Sequence, residues 1–196
     1  MSSGFSRSEP LQGLRSKSGG GFRRAQERLE EEVAALFEQF RGPLLRYLAN
    51  CGMSIPDGEE VIQEVFLSLF QHLQHGKSRE NLASWLFRVA HNQAMKRHHQ
   101  IRRDLEWRAE AAAEEDVADL GPNPEEQVVN NQTQRRVLSV VSAMPEKDRR
   151  CLSLRAEGLR YREIAGILDM SLGAVSVSLA RSLSRIAGSA QGGENS

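Results

Sequence analysis

Tyr161-Arg-Glu-Ile-Ala-Gly-Ile-Leu-Asp-Met-Ser-Leu-Gly-Ala-Val-Ser-Val-Ser-Leu-Ala180 is the stretch whose reading decides the fold. Its spacing is that of two short helices joined by a tight turn. Small Ala165 lets two helix backbones approach. Asp169, four residues on, is a residue type that tolerates the left-handed backbone such a turn needs. Val175, ten residues after Ala165, is placed to plug the space between the helices, and Ile164, Leu168 and Leu179 complete a small core. A helix-turn-helix of this kind presents its second helix to a major groove. The groove-facing candidates are Ser171, Ser176, Ser178, Arg181 and Arg185, with Arg160 and Arg162 at the entry to the first helix. Serine bonds several base edges with little discrimination, whereas arginine is the main reader of guanine. The segment therefore predicts modest duplex affinity, to which Arg149 and Arg150 are expected to add phosphate contacts.

Working outward, Val137, Leu138, Val141 and Met144 share one helical face, Pro145 opens the next helix, and Gly158 closes it. These elements make residues 131–187 one helical domain, followed by a tail, 188–196, expected to be disordered. Upstream, residues 104–130 change character: acids dominate, alanines cluster at 111–113, and Gly121-Pro-Asn-Pro124 ends any helix. This reads as a flexible acidic linker. A second helical block lies before it, over 28–103. Val33, Leu36, Phe37 and Phe40 follow amphipathic spacing. Gly42-Pro43 is expected to interrupt that helix. Ser54-Ile-Pro-Asp57 is turn chemistry with a plausible cap, opening a helix with Val61, Ile62, Val65, Phe66, Leu69 and Phe70 as its buried stripe. A third helix starts near Asn81 and runs into a basic tract at 96–103. Residues 1–27, rich in Ser, Gly and Arg, are expected to be a disordered extension. No segment alternates with period two, so the class is all-α: two small helical domains on a flexible linker.

Hydrophobic residues make up 39% and charged residues 27% of the 196, an ordinary globular composition. Net charge is zero, which at first argues against nucleic acid. The distribution argues the other way: +4 over residues 1–29, zero over 30–103, −8 over 104–130, +5 over 131–187 and −1 in the tail. Within 30–103, the stretch 88–103 holds Arg88, Lys96, Arg97, Arg102 and Arg103 and no acid, so two basic patches flank a strongly acidic stretch, and a basic patch attracts phosphate even in a neutral chain.

Two helices of the first block carry polar faces. The helix 57–70 offers Asp57, Glu60, Gln63 and Glu64. The helix 84–99 offers Arg88, Asn92, Lys96 and His99 at four- and three-residue steps, opposite Trp85, Leu86, Val89 and Ala90, with Arg97 beside them and Arg102 and Arg103 beyond. A basic stripe with amide and imidazole donors suits a nucleic-acid backbone or exposed bases.

Four collinear motifs then resemble the extracytoplasmic-function (ECF) branch of the sigma-70 family: Asp57-Gly-Glu-Glu-Val-Ile-Gln-Glu-Val-Phe66, Trp85-Leu-Phe-Arg-Val-Ala-His-Asn92, Met144-Pro-Glu-Lys-Asp-Arg149, and Glu157-Gly-Leu-Arg-Tyr-Arg-Glu-Ile-Ala165 running on to Val175. The resemblance covers about 30–187. It implies a sigma region 2-like domain and a sigma region 4-like domain. It assigns Asp57, Glu60, Gln63 and Glu64 to core RNA polymerase. It assigns Arg88, Asn92, Lys96, Arg97 and His99 to a melted minus-ten element, with the loop before Trp85 holding a flipped base at a few kcal/mol of unstacking. It gives the C-terminal domain to the minus-thirty-five element and the polymerase flap. The implied partners are core RNA polymerase, promoter DNA and an anti-sigma factor. The chain departs from the family pattern at Lys96, His98, Ala174 and Ser176, where the family often has Asp, an apolar residue, Thr and Lys. These departures lower the expected specificity for the minus-ten element and strength for the minus-thirty-five element.

Other readings carry less. His72 and His75 are three apart, but no cysteine or carboxylate cluster joins them at metal-ligand spacing, and no metal or cofactor is expected. Trp85, Cys51 and Cys151 read as packing residues. Two isolated cysteines, no apolar run long enough to span a bilayer and no apolar core near the N-terminus suggest a cytoplasmic protein. No phosphate-cradling loop, nucleophile elbow or HExxH motif is present, so an enzyme is not expected. A conventional helix-turn-helix regulator and a sigma-like module that binds polymerase without initiating are the two alternatives. The acidic linker, through Glu114, Glu115, Asp116 and Asp119, could fold back to mask the basic patches.

Overall fold

The computed structural model describes residues 19–111 and 132–191. The expectations for residues 1–18, for the linker over 112–130, including its masking role, and for the last five residues lie outside that range. Seven helices and no strand form among the described residues: α1 (Gly19–Asn50), α2 (Ile55–Gln74), α3 (Leu82–Ala111), α4 (Gln132–Ser142), α5 (Glu146–Ala156), α6 (Tyr161–Leu168) and α7 (Leu172–Gln191).

Helix α1 differs from expectation twice. It begins at Gly19, within the stretch expected to be disordered, and it runs straight through Gly42-Pro43. A proline inside a helix loses one backbone hydrogen bond and costs about 3 kcal/mol. The cost is outweighed because Leu44, Tyr47 and Leu48, just beyond Pro43, are fully buried, and each such side chain returns about 1.5–3 kcal/mol. The carbonyl that Pro43 leaves unpaired belongs to exposed Gln39, where water reaches it. Helix α3 likewise continues past the expected boundary to Ala111, and α7 runs past residue 187 to Gln191.

Helices α1, α2 and α3 pack around Leu44, Tyr47, Leu48, Val61, Ile62, Val65, Leu69, Leu86, Phe87, Ala90 and Ala94, all fully or almost fully buried. The expected stripe of α2 is therefore its core face, although Phe70 at its end is only partly covered. Ser54 caps α2: its Oγ accepts from the Asp57 N–H at 3.3 Å and donates to the Asp57 carboxylate at 2.5 Å. Phe37 meets Phe66 edge-on at 5.0 Å, and Trp85 is packed partly under the surface against His72, ring centres 4.9 Å apart.

The C-terminal helices assemble as the spacing required. Asp169 closes α6 in the left-handed conformation, φ 51° and ψ 50°. Ile164, Val175 and Leu179 are buried to within 1%. The backbone N–H of Arg160 donates to the Glu163 carboxylate at 2.6 Å, opening α6, and Ser171 Oγ accepts from the Ala174 N–H at 3.1 Å, opening α7. Helix α6 packs on α3 and α5 packs on α1, and the buried apolar residues of the two halves form one continuous cluster. The halves are thus closed on one another.

Candidate nucleic-acid and partner interfaces

The acidic face of α2 is exposed. The side chains of Asp57, Glu60 and Glu64 keep 56%, 63% and 44% of their surface, and Gln63 is also exposed. Leu67 stands on the same face, one turn past Glu64 and Gln63, and is 60% exposed. An apolar side chain ringed by polar ones marks a contact surface, so Leu67 joins the acids as a candidate. Its position three and seven residues after Glu64 and Glu60 was the signal in the sequence.

Arg88, Asn92, Lys96 and His99 all lie exposed along one side of α3, as their spacing required. Arg97 does not lie with them. It turns toward α2, where its Nη1 donates to Glu60 at 3.0 Å and its Nη2 to Glu64 at 3.2 Å, with Asp57 4.0 Å away. The residue assigned to the basic stripe thus sits against the acidic face. His98 reaches the opposite end of α1, its Nε2 meeting the Cys51 carbonyl at 2.8 Å. An unpaired helix-terminal carbonyl is satisfied there by a ring N–H, which gives the polar residue at this position a structural use.

On the helix-turn-helix, Arg160, Arg162, Ser171, Ser176 and Arg185 are exposed. Ser178 is not. It is 3% exposed, and its Oγ donates to the buried Asp148 carboxylate at 2.7 Å. Arg181 pairs with the other Asp148 oxygen at 3.3 Å while remaining half-exposed. Ser178 is thereby removed from the groove-facing set. The period shows why: Val175, Ser178, Leu179 and Ser182 recur at i, i+3, i+4 and i+7, the buried face of α7, and Ser182 is fully buried as well. Arg149 and Arg150 also depart from expectation. Arg149 donates to the Asn50 and Ser142 carbonyls, each at 3.3 Å. Arg150 pairs with Glu146, and its Nε is buried without a partner. Both are turned inward rather than toward phosphate.

Between the halves runs a seam. Arg46 grips Glu157 with two parallel bonds, Nε to Oε1 at 2.9 Å and Nη2 to Oε2 at 2.8 Å. Asn50 Nδ2 donates to Ser153 Oγ at 3.0 Å. Beneath them the Tyr47 hydroxyl donates to His91 Nδ1 at 2.8 Å. Burial, helped by the Arg150 charge, pushes the His91 imidazole down to about 4, so it is neutral and accepts that bond. Burial above all holds the Tyr47 hydroxyl protonated. A cleft of about 690 Å³ opens along the seam, lined by Asn81 from the loop before α3 and by Arg160, Tyr161, Arg162, Leu172 and Ser176 of the helix-turn-helix. Asn81 itself takes a positive φ of 54°.

His72 and His75 contact backbone carbonyls: His72 Nε2 lies 3.0 Å from the Ser78 carbonyl and His75 Nδ1 2.6 Å from that of Gln71. No cluster of three or more metal-ligating side chains occurs among the described residues. Cys51 and Cys151 are free and buried, with Cys151 Sγ 3.8 Å from Met170 Sδ. No single helix among the described residues is long and apolar enough to cross a membrane.

A three-helix module with an acidic face and a basic stripe, followed by a helix-turn-helix module, defines a class of two-part helical proteins. Comparison with known proteins narrows the class. Residues 36–104 match Sigma-70 region 2, and residues 134–186 match Sigma-70, region 4. The chain belongs to the sigma-70 family, in its ECF branch. It is 29% identical over 130 residues to the ECF RNA polymerase sigma-E factor of Escherichia coli, covering 62% of this chain and 68% of that protein. It is 32% identical over 126 residues to the probable RNA polymerase sigma factor RfaY of Xanthomonas campestris, covering 63% of this chain but only 31% of that longer protein. The fold is shared with the sigma factor RpoE of Bartonella quintana, solved with the anti-sigma factor NepR: TM-score 0.54, 17% identity, 80% of this chain and 97% of that one. It is also shared with CnrH, solved with the cytosolic domain of CnrY: TM-score 0.56, 17% identity, 88% of this chain and 96% of that one.

Proposed function

We propose that the chain is a non-catalytic initiation factor that recruits core RNA polymerase to promoters in the cytoplasm and opens them. The single observation that carries this reading is the pairing, on one small module, of an exposed acidic face on α2 with an exposed basic stripe on α3. Opposite charges on adjacent faces let one module hold a basic polymerase surface and a DNA strand at once. Asp57, Glu60, Gln63, Glu64 and Leu67 form the polymerase contact. Arg88, Asn92, Lys96 and His99 follow the backbone of the melted minus-ten strand, and their long or ring-bearing side chains serve single-stranded DNA as sequence-tolerant donors.

Duplex recognition is the weaker contribution. With Ser178 buried and Arg181 paired, the free groove candidates reduce to Ser171, Ser176 and Arg185, with Arg160 and Arg162 for phosphate. Promoter selection then leans on the minus-ten strand and on polymerase. An anti-sigma partner fits a surface whose docking faces are this exposed.

The experiment is run-off transcription from a promoter library with core polymerase, with and without the chain. Transcripts appearing only with the chain are expected, and they disappear when Glu60→Lys and Glu64→Lys are combined. Polymerase binding with no transcript from any promoter would turn the reading toward a sigma-like module without initiation activity.

A further inference from the structure

We propose that the stretch of α1 ahead of the region 2 match braces the loop that opens α3: Glu32 of α1 holds Arg79, and His72 of α2 holds the Ser78 carbonyl, so the loop is shaped for the minus-ten strand before the strand arrives. Glu32, His72 and Arg79 are positioning residues in this reading. The inference rests on the function proposed above, which supplies the strand.

The family match begins at residue 36, whereas α1 begins at Gly19. About 25 Å of helix therefore precedes the match, at about 1.5 Å per residue. This helix is docked: Leu29 is 8% exposed and joins the apolar core. Three residues further on, Glu32 receives Arg79 from the loop between α2 and α3. Arg79 Nε lies 3.0 Å from Oε1 and 3.2 Å from Oε2, and Nη2 lies 3.2 Å from Oε2. His72 Nε2 meets the Ser78 carbonyl at 3.0 Å. A carbonyl only accepts, so the ring donates there. The same ring packs against Trp85, 4.9 Å between centres, which fixes its direction. Ser78 Oγ accepts from the Glu80 N–H at 3.1 Å. Asn81 ends the loop at φ 54°, a backbone state asparagine tolerates better than most residues, and its carbonyl accepts from the Trp85 N–H at 3.0 Å. One short loop is thus tied to three helices: to α1 through Arg79, to α2 through Ser78 and to α3 through Asn81.

The groups these ties leave free point to their use. Lys77 and Asn81 are exposed. Asn81 precedes Arg88 by seven residues, two helical turns, so it heads the line on which Arg88, Asn92, Lys96 and His99 lie. A strand that follows this line reaches the loop next. A loose loop would have to be ordered at each binding event, and that ordering subtracts from affinity. The ties remove the cost in advance. They also fix the part Arg79 plays: its guanidinium is engaged with a carboxylate of the same chain, and Lys77 and Asn81 are left to meet the strand. The side chains of Arg79 and Glu32 keep 53% and 33% of their surface, and an ion pair this exposed adds little to the stability of a whole fold. Its effect is local, so losing it should alter strand capture and leave global unfolding as it was.

The test uses holoenzyme assembled from core RNA polymerase and the full-length chain. Its binding to a forked DNA, taken from a promoter recovered in the transcription library and unpaired over the minus-ten element, is followed by fluorescence anisotropy. The variants are Glu32→Ala, Arg79→Met, the exchange of both (Glu32→Arg with Arg79→Glu), and His72→Phe, which keeps a ring against Trp85 and loses the donor. Glu32→Ala and Arg79→Met should each weaken binding by about threefold to fivefold, the upper range for an exposed pair, and His72→Phe by about fivefold, as for one hydrogen bond. The exchange should return binding to within about twofold of native, since it restores the pair and nothing else. Urea midpoints and affinity for core polymerase should not move. Tighter binding by Glu32→Ala, with no recovery in the exchange, would make Arg79 a phosphate ligand held back by Glu32 and overturn the proposal. Unchanged binding in every variant, or a loss matched by lower urea midpoints, overturns it as well. Amide hydrogen exchange over residues 76–85 of the free chain reads the brace without DNA: Glu32→Ala and His72→Phe should quicken it by at least about threefold, and an unchanged rate overturns the brace. Native holoenzyme that failed to bind or transcribe any promoter would sink the proposed function and leave the exchange result to stand by itself.

Discussion

Replacing Ser178 by alanine tests the reassignment of the recognition helix. In the native chain Ser178 Oγ donates to Asp148 at 2.7 Å, both groups at least 95% buried. A hydrogen bond to a charged acceptor contributes about 1.5–3 kcal/mol. Its removal leaves Asp148 with a single partner, Arg181, which is half-exposed and screened, worth at most about 1 kcal/mol. Asp148 also lies in the first turn of α5, where the helix dipole favours a carboxylate by about 0.3–1 kcal/mol. The lost bond is not replaced, so Ser178→Ala should cost about 2 kcal/mol. Urea unfolding followed by circular dichroism measures this as a lower midpoint at unchanged slope. Duplex affinity for minus-thirty-five DNA, measured where both proteins are folded, should stay within twofold. A double-mutant cycle with Asp148→Asn should show coupling of about 1 kcal/mol or more. If Ser178→Ala left stability within about 0.5 kcal/mol and instead reduced duplex binding tenfold, the buried-bond reasoning would be refuted and the serine would belong to the groove.

Other outcomes follow from the same geometry. Leu67→Asp should weaken binding to core polymerase by about 2 kcal/mol, some thirtyfold, as an apolar anchor at an interface centre does, with folding intact because Leu67 is 60% exposed; pull-down with purified core enzyme measures it. His91 makes stability depend on acidity. Its imidazole is held down at about 4, chiefly by burial, against 6.5 when unfolded. The unfolded chain therefore binds the extra proton first. Stability owed to this group is whole above 6.5 and falls as pH drops from 6.5 toward 4, by up to about 3 kcal/mol. His91→Gln, which keeps an acceptor for the Tyr47 hydroxyl, should flatten the unfolding profile in that window; an unchanged slope would reject the assignment.

The helix-turn-helix was legible because steric rules over twenty residues leave few solutions: a residue tolerating positive φ at Asp169, a small one at Ala165, a plug at Val175. The stripe of α2 was legible for the same local reason. What escaped the sequence was set by contacts between distant segments. Pro43 looked like a break because the local cost is visible and the burial that outweighs it is not. Arg97 looked like part of the DNA stripe because it follows Lys96, yet one residue is a turn of 100° on a helix, enough to aim it at α2. Arg149 and Arg150 read as phosphate ligands from charge alone; only the packing of α5 on α1 shows them facing inward. Ser178 belongs to a different kind of miss, since the period of Val175, Leu179 and Ser182 already held the answer.

The neutral net charge takes on a meaning in this light. The acidic surface proposed for polymerase is already met by an opposite charge from elsewhere in the chain. Arg97 holds Glu60 and Glu64. Binding polymerase is then an exchange of ion pairs rather than a first meeting of bare charges. Exchange gains little in raw attraction, because one pair is broken for each one formed. It gains in discrimination, because a partner that supplies fewer or misplaced charges leaves an internal pair broken and uncompensated, which costs several kcal/mol where the groups are enclosed. A strongly charged chain would hold phosphate anywhere. A chain that answers its own charges gives them up only to a surface that matches several at once, as a polymerase and an opened promoter presented together would.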